Sequence, residues 1–255
     1  MRFLAQTARQ IRYVNKAFWR NPASAFFTFA LPLMFLIIFT ALLGHGTVRL
    51  GVRRVHLSTY YVAAMATFAV VSACYTNVAM SVTTQREAGV LKRTHGTPLP
   101  PLVYFAARVL HAMFIALLLV VITVAFGRLA YQADVPTGAT LLRFLVVLIV
   151  GAASFTALAF AITTRIPNAD AAPAIVNASI LPLLFLSGIF IPFGNNVAAW
   201  IVWIARIFPV RHFAGGMQAS FIGTHFAWSD VGVVALWGLG GLVVAVRRFS
   251  WEPHT

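Results

Sequence analysis

The sequence predicts an all-α membrane protein with six transmembrane helices. Three observations carry this. Of 255 residues, 60% are hydrophobic and only 9% charged, a balance that soluble domains rarely show. The mean hydropathy is +0.87. Several apolar runs of about 20 residues recur along the chain, each long enough to cross a hydrocarbon core of roughly 30 Å as a helix. Inside lipid the backbone must satisfy its own hydrogen bonds, so these runs are expected as helices.

Residues 1–22 form the first unit. At helical spacing, Leu4, Ala8, Ile11, Val14 and Phe18 share one face, and Arg9, Arg12, Lys16 and Arg20 share the other. That pattern predicts an amphipathic helix in the membrane surface, its basic side toward lipid headgroups. Phe18 and Trp19 stand where an aromatic belt begins. Residues 23–248 are the six-span domain, with spans expected at 23–43, 59–82, 102–126, 140–163, 171–191 and 228–246. Pro32 is expected to kink the first. Residues 44–58 read as a short polar loop, and 192–227 as mixed, broken by Pro192, Pro209, Gly215, Gly216 and Gly223. Arg247, Arg248 and Trp251 mark a second interface, and 249–255 is a short tail. No cleavable signal peptide is expected, because a polar segment of about 20 residues precedes an apolar run too long for one.

Six spans place both termini on one side, and Lys and Arg choose the side. With the termini cytoplasmic, twelve fall inside and seven outside: Arg49, Arg53, Arg54, Arg128, Arg143, Arg206 and Arg211. The Arg49–Arg54 cluster runs against the rule. The net charge of +14 is read as contact with anionic lipid, not nucleic acid. Arg outnumbers Lys 17 to 2, a usage that suggests a bacterial source. Together these readings predict a multi-pass protein of a bacterial cytoplasmic membrane. Cys74 is the sole cysteine, which excludes an intrachain disulfide.

Several chemistries have no residues to carry them. The chain has no G-x-x-x-x-G-K-[ST] loop to cradle nucleotide phosphates, no H-E-x-x-H and no G-x-S-x-G. Its histidines are scattered, so no metal site, catalytic residue or cofactor is expected in this chain. The acidic residues Glu87, Asp134, Asp170, Asp230 and Glu252 all fall in loops or at span ends. An ion-coupled carrier usually needs a carboxylate near mid-membrane. His111 reads as a packing group in the third span. Asn77, Asn177 and Ser187 are neutral polar residues that could line a substrate path or bond between helices.

One stretch stands apart. TTQREAGVLKRTHGTPLPP, residues 83–101, concentrates charge between two apolar spans. Gln85 to His95 is expected as about three helical turns, with Gly96 as the C′ residue and Pro98 barring continuation. In the predicted orientation it is cytoplasmic. A membrane domain without its own energy source and with an exposed cytoplasmic helix fits a partner that hydrolyses ATP and pushes on that helix.

The segment Gln85-Arg86-Glu87-Ala88-Gly89-Val90-Leu91-Lys92-Arg93, followed by Gly96-Thr97-Pro98-Leu99, resembles the E-[RK]-E-x-G-[TV]-L-[EK]-x-L…[TS]-P-[LV] pattern of type-2 ABC transporter permeases. Ser187-Gly188-Ile189-Phe190-Ile191-Pro192 ahead of Phe208-Pro209-Val210-Arg211-His212 resembles that family's S-G-x-x-x-P…P-[LVT]-x-[HY] stretch. The amphipathic leader before a Pro-containing span agrees, and the likeness covers nearly the whole chain. It implies that residues 85–93 (Gln85, Arg86, Glu87, Gly89, Val90, Leu91, Lys92 and Arg93) form a coupling helix seated in a separate ATPase subunit. It implies that the leader is a connecting helix. It also implies short extracellular re-entrant helices around Gly188, Pro192, Pro209 and His212. Two permeases, alike or different, would pair with two ATPases, which hold the ATP and Mg. Gln85, Thr94 and His95 depart from the family pattern. The implied function is export of a hydrophobic or amphiphilic, drug- or antibiotic-like compound. Lipid or glycolipid export, an ion-coupled carrier and a non-transporting scaffold are the alternatives.

Overall fold

The computed structural model describes residues 2–43, 46–50, 53–192 and 198–252. Among them eleven α-helices and one small hairpin follow in order. They are α1 (Arg2–Trp19), α2 (Pro22–Leu43), β1 (Thr47–Leu50), β2 (Arg53–His56), α3 (Leu57–Val71), α4 (Asn77–Glu87), α5 (Val90–His95) and α6 (Pro101–Tyr131). After these come α7 (Ala139–Thr163), α8 (Ala172–Leu186), α9 (Ala199–Ile207), α10 (Pro209–Ile222) and α11 (Trp228–Arg248). A π turn, Ser72–Thr76, joins α3 to α4, so Leu57–Glu87 is one continuous rod.

That rod is the centre of the bundle. Every residue from Ser58 to Val71 is buried. Ala63, Ala64, Ala66 and Ala69 keep its girth small, which lets α2, α6 and α10 approach closely. On the far side α7 and α11 lie backbone to backbone. A β-carbon at Gly238 would collide with Ser154, and one at Gly241 would stand 3.0 Å from the Leu158 nitrogen. The Phe213 ring of α10 fills the space left by the missing side chain of Gly151. Outward faces of α2, α6 and α11 carry exposed Phe26, Phe27, Phe114, Leu129, Leu236 and Val246, the expected covering for a surface that meets lipid tails.

Among the described residues, five helices are long and apolar enough to cross a membrane: Pro22–Leu43, Leu57–Glu87, Pro101–Tyr131, Ala139–Thr163 and Trp228–Arg248. The fifth expected span corrects to α8, which has 15 residues, or about 22 Å of helix. Its C-terminal end is set by Gly188, whose φ of 79° turns the chain away. The expected loop at 44–58 contains the antiparallel β1–β2 pair, in which Arg49 stands opposite Arg54. The side chains of the Arg49–Arg54 cluster lie outside the described residues. The mixed stretch 192–227 resolves into α9 and α10, broken at the extended Phe208. Residues 193–197 and 253–255 lie outside the described residues.

The leader is helical as expected, and Arg9, Arg12, Lys16 and Arg20 are all exposed. Its inward stripe is different. Thr7, Val14 and Phe18 are buried against α6, whereas Leu4 and Ala8 point away. A stripe of this pitch holds the helix to the bundle along its second half and leaves its first turns to the surroundings.

Candidate functional site

The charged stretch is two structures, not one helix. Gly89 has φ 68°, a left-handed conformation that glycine tolerates at little cost. It divides the end of α4 from the six-residue α5, and Gly96 keeps an ordinary helical φ of −72°. The expected three-turn helix with its break at Gly96 is therefore corrected to a break at Gly89.

Before the break, Gln85 and Arg86 turn inward, and the exposed Glu87 reaches across to the chain after α7. Arg86 is 2% exposed. One of its terminal nitrogens donates to the Thr163 carbonyl at 2.8 Å and the other to the Ile166 carbonyl. The first carbonyl closes α7 and the second lies in the turn that follows it, where helix ends leave acceptors short of partners. The Glu87 carboxylate accepts from the Ala169 N–H. Arg86 and Glu87 together clasp the turn between α7 and α8. Gln85 bonds to Arg108 and, at 3.2 Å, to Ser81. Arg86, expected as a contact for another protein, is spent inside this chain, because a buried guanidinium requires polar partners.

After the break, the cations turn outward. Leu91 is fully buried and anchors α5 to the spans. Val90, Lys92, Arg93 and His95 are exposed. Arg93 donates back to the Ala88 and Gly89 carbonyls at 3.2 and 3.4 Å. Lys92 pairs with Glu252 at 3.3 Å, and the His95 ring lies 4.9 Å from that of Trp251. Trp251 in turn packs on Tyr104, Phe105 and Phe249. The chain end thus braces α5. The sequence reads Trp251 as an interface marker in a short tail; in the structure it packs against α5 and α6.

At the opposite end, side chains secure the loops around α8, α9 and α10. Arg211 donates to the Ser187 carbonyl at 2.8 Å, and the Tyr60 hydroxyl donates to that of Gly188. Burial lowers the Arg211 pKa below the ordinary arginine value, with Tyr60 and Asp230 acting against it. His212 Nδ1 meets Asp230 at 2.6 Å and its Nε2 meets the Arg206 carbonyl at 2.8 Å. Pro209 opens α10 at its first turn, and Pro192 is half-buried. Four residues singled out in sequence thus occupy one end of the bundle.

Asn77, Asn177 and Ser187 do not converge. Asn77 donates to Thr28 at 3.2 Å and Ser24 at 3.4 Å, tying α4 to α2. Ser187 is buried and bonds its own helix at Leu184. Asn177 is half-buried and makes no side-chain hydrogen bond among the described residues. An apolar cleft of about 260 Å³ does open elsewhere, lined by Tyr75, Phe155, Leu183, Phe208 and Trp237. Its few polar groups include Ser179, which shares a 2.7 Å hydrogen bond with Tyr75.

Long apolar helices around a buried rod, with a basic helix against one end, define a multi-pass helical membrane protein. The family model for ABC-2 type transporters matches residues 3–222. The chain belongs to this family and is an ABC permease subunit; the match runs from α1 to α10 and leaves α11 outside it. No curated protein matches the chain.

Proposed function

We propose that this permease is the membrane half of an ATP-driven exporter in a bacterial cytoplasmic membrane, worked by a separate ATPase subunit that engages α5. In this reading two permeases pair with two ATPases, and ATP and Mg reside on the latter. Both termini are cytoplasmic, and the short α8 serves as the fifth of six spans. The cargo is hydrophobic or amphiphilic, drug- or antibiotic-like, in keeping with the apolar cleft and its Tyr75–Ser179 pair.

The observation that carries this is the mounting of α5. It is a short helix with an exposed face of Val90, Lys92 and Arg93, fixed from behind by buried Leu91 and braced by the chain end. A lever of that form can pass a push to α4 and α6. The test is reconstitution of the full chain with its ATPase in proteoliposomes. Val90→Asp with Lys92→Glu is expected to leave folding intact and abolish permease-stimulated ATP hydrolysis and transport. Undiminished transport by that variant would reject the coupling role of α5. Transport driven by a proton or sodium gradient without ATPase would reject the exporter reading itself.

A further inference from the structure

A second cavity, about 170 Å³, opens between α1, α2, α4 and α6. Its wall mixes apolar side chains such as Val14, Phe18 and Ile115 with a cluster of polar ones. Asn77, Ser81 and Gln85, spaced four apart, present one face of α4 to it, and Arg108 and His111 present one face of α6. Arg108 is 5% exposed and His111 6%. Arg108 reaches Ser81 at 3.1 Å and Gln85, and its guanidinium lies 5.3 Å from the Tyr104 ring centre. Its Nε and the His111 Nε2 have no hydrogen-bond partner. No carboxylate lines the cavity. A buried cation with neutral partners only is costly, and here its side chain lines open space while its Nε and the neighbouring imidazole nitrogen stay unpaired within the wall.

The depth of the cavity narrows what could fill it. The exposed Asn21 and Thr84 form part of its rim. Asn21 lies between the surface helix and the first apolar span. Trp19 stacks on Phe29 at 5.7 Å just beside it, as interfacial tryptophans do at headgroup level. The exposed Lys16 and Arg20 flank this rim and concentrate anionic lipid there.

We propose that this cavity binds a phosphate oxyanion delivered by the headgroup of an anionic phospholipid lying against α1. Arg108 supplies the charge, and His111, Asn77 and Ser81 supply hydrogen-bonding groups around it. The proposal needs only the membrane setting and is independent of how the permease is powered.

The test uses the full chain in nonionic detergent, with melting temperature and native mass spectrometry as readouts. Short-chain phosphatidylglycerol is expected to bind saturably and raise the melting temperature; short-chain diacylglycerol, lacking phosphate, is expected to do neither. Arg108→Gln should weaken phosphatidylglycerol binding by about tenfold or more, the usual effect of losing a charge-assisted contact. If that variant fails to fold, Ser81→Leu and His111→Phe, which fill the cavity, should abolish the same response. Inorganic phosphate matching phosphatidylglycerol would keep the oxyanion and overturn the lipid as its carrier. No saturable response, or an equal response from the filled variants, would overturn the site.

Discussion

The last turn of α4 and the short α5 are neighbours in sequence and alike in composition, yet they face opposite ways. Gln85, Arg86 and Glu87 spend their polar groups on Arg108, the end of α7 and the α7–α8 turn. Val90, Lys92 and Arg93 lie outside, one residue past Gly89. Charge alone therefore says little about use. A buried cation whose donors meet backbone carbonyls at and just beyond a helix end is part of the scaffold. A cation whose nearest partner is an exposed glutamate in a chain tail is free to find another.

The contrast predicts a graded set of effects. Arg86→Leu should be the most damaging to the fold, because each buried carbonyl left without a partner costs about 1–3 kcal/mol. Thermal unfolding in detergent would show it, and a wild-type melting temperature would mean the clasp carries no weight. Gly89→Val should come next, near 1–3 kcal/mol, since a β-branched residue strains at positive φ. Its signature is faster proteolysis within residues 88–100 with the spans still protected; unchanged cleavage would contradict the break. Lys92→Glu should leave melting unchanged yet cut partner-stimulated ATP hydrolysis about tenfold, as unfavourable charge at an interface does. Glu252→Gln should be the mildest. Both side chains of that pair are about two-thirds exposed, 66% and 68%. The loss should fall at or below the low end of the roughly 0.2–1 kcal/mol seen for surface pairs. A larger effect would make the tail a structural clamp.

Much of the architecture was legible in the chain. Apolar runs placed α2, α7 and α11 within a residue or two, because lipid demands a minimum length of unbroken hydrophobicity. The basic face of α1 followed from spacing alone. The break at Gly89 did not, since Gly96 before Pro98 carries the stronger local stop signal. What selects Gly89 is the anchoring of Arg86 and Glu87 to residues about 80 positions away, and no local pattern reports that. The polar cavity was hidden for the same reason. His111 reads in the sequence as a packing histidine, and only the meeting of α4 with α6 brings it and Arg108 to one cavity with Asn77, Ser81 and Gln85. His111 does pack, with its ring 5.7 Å from Phe18, but it also presents a bare nitrogen.

The π turn at Ser72–Thr76 fixes the phase of the central rod. One residue more than an α-helix needs is stored there, and each residue of an α-helix advances about 100° around the axis. The half before the turn packs chiefly on α6, α2 and α10, and the half after it on α7 and α8 and, through Asn77, on α2. Straightening the turn would rotate one half against the other, carrying Arg86 off its carbonyls and Asn77 off α2 while the first half stayed seated. The register of the rod, and with it the side chains that each half turns toward its neighbours, is therefore set by five residues in its middle.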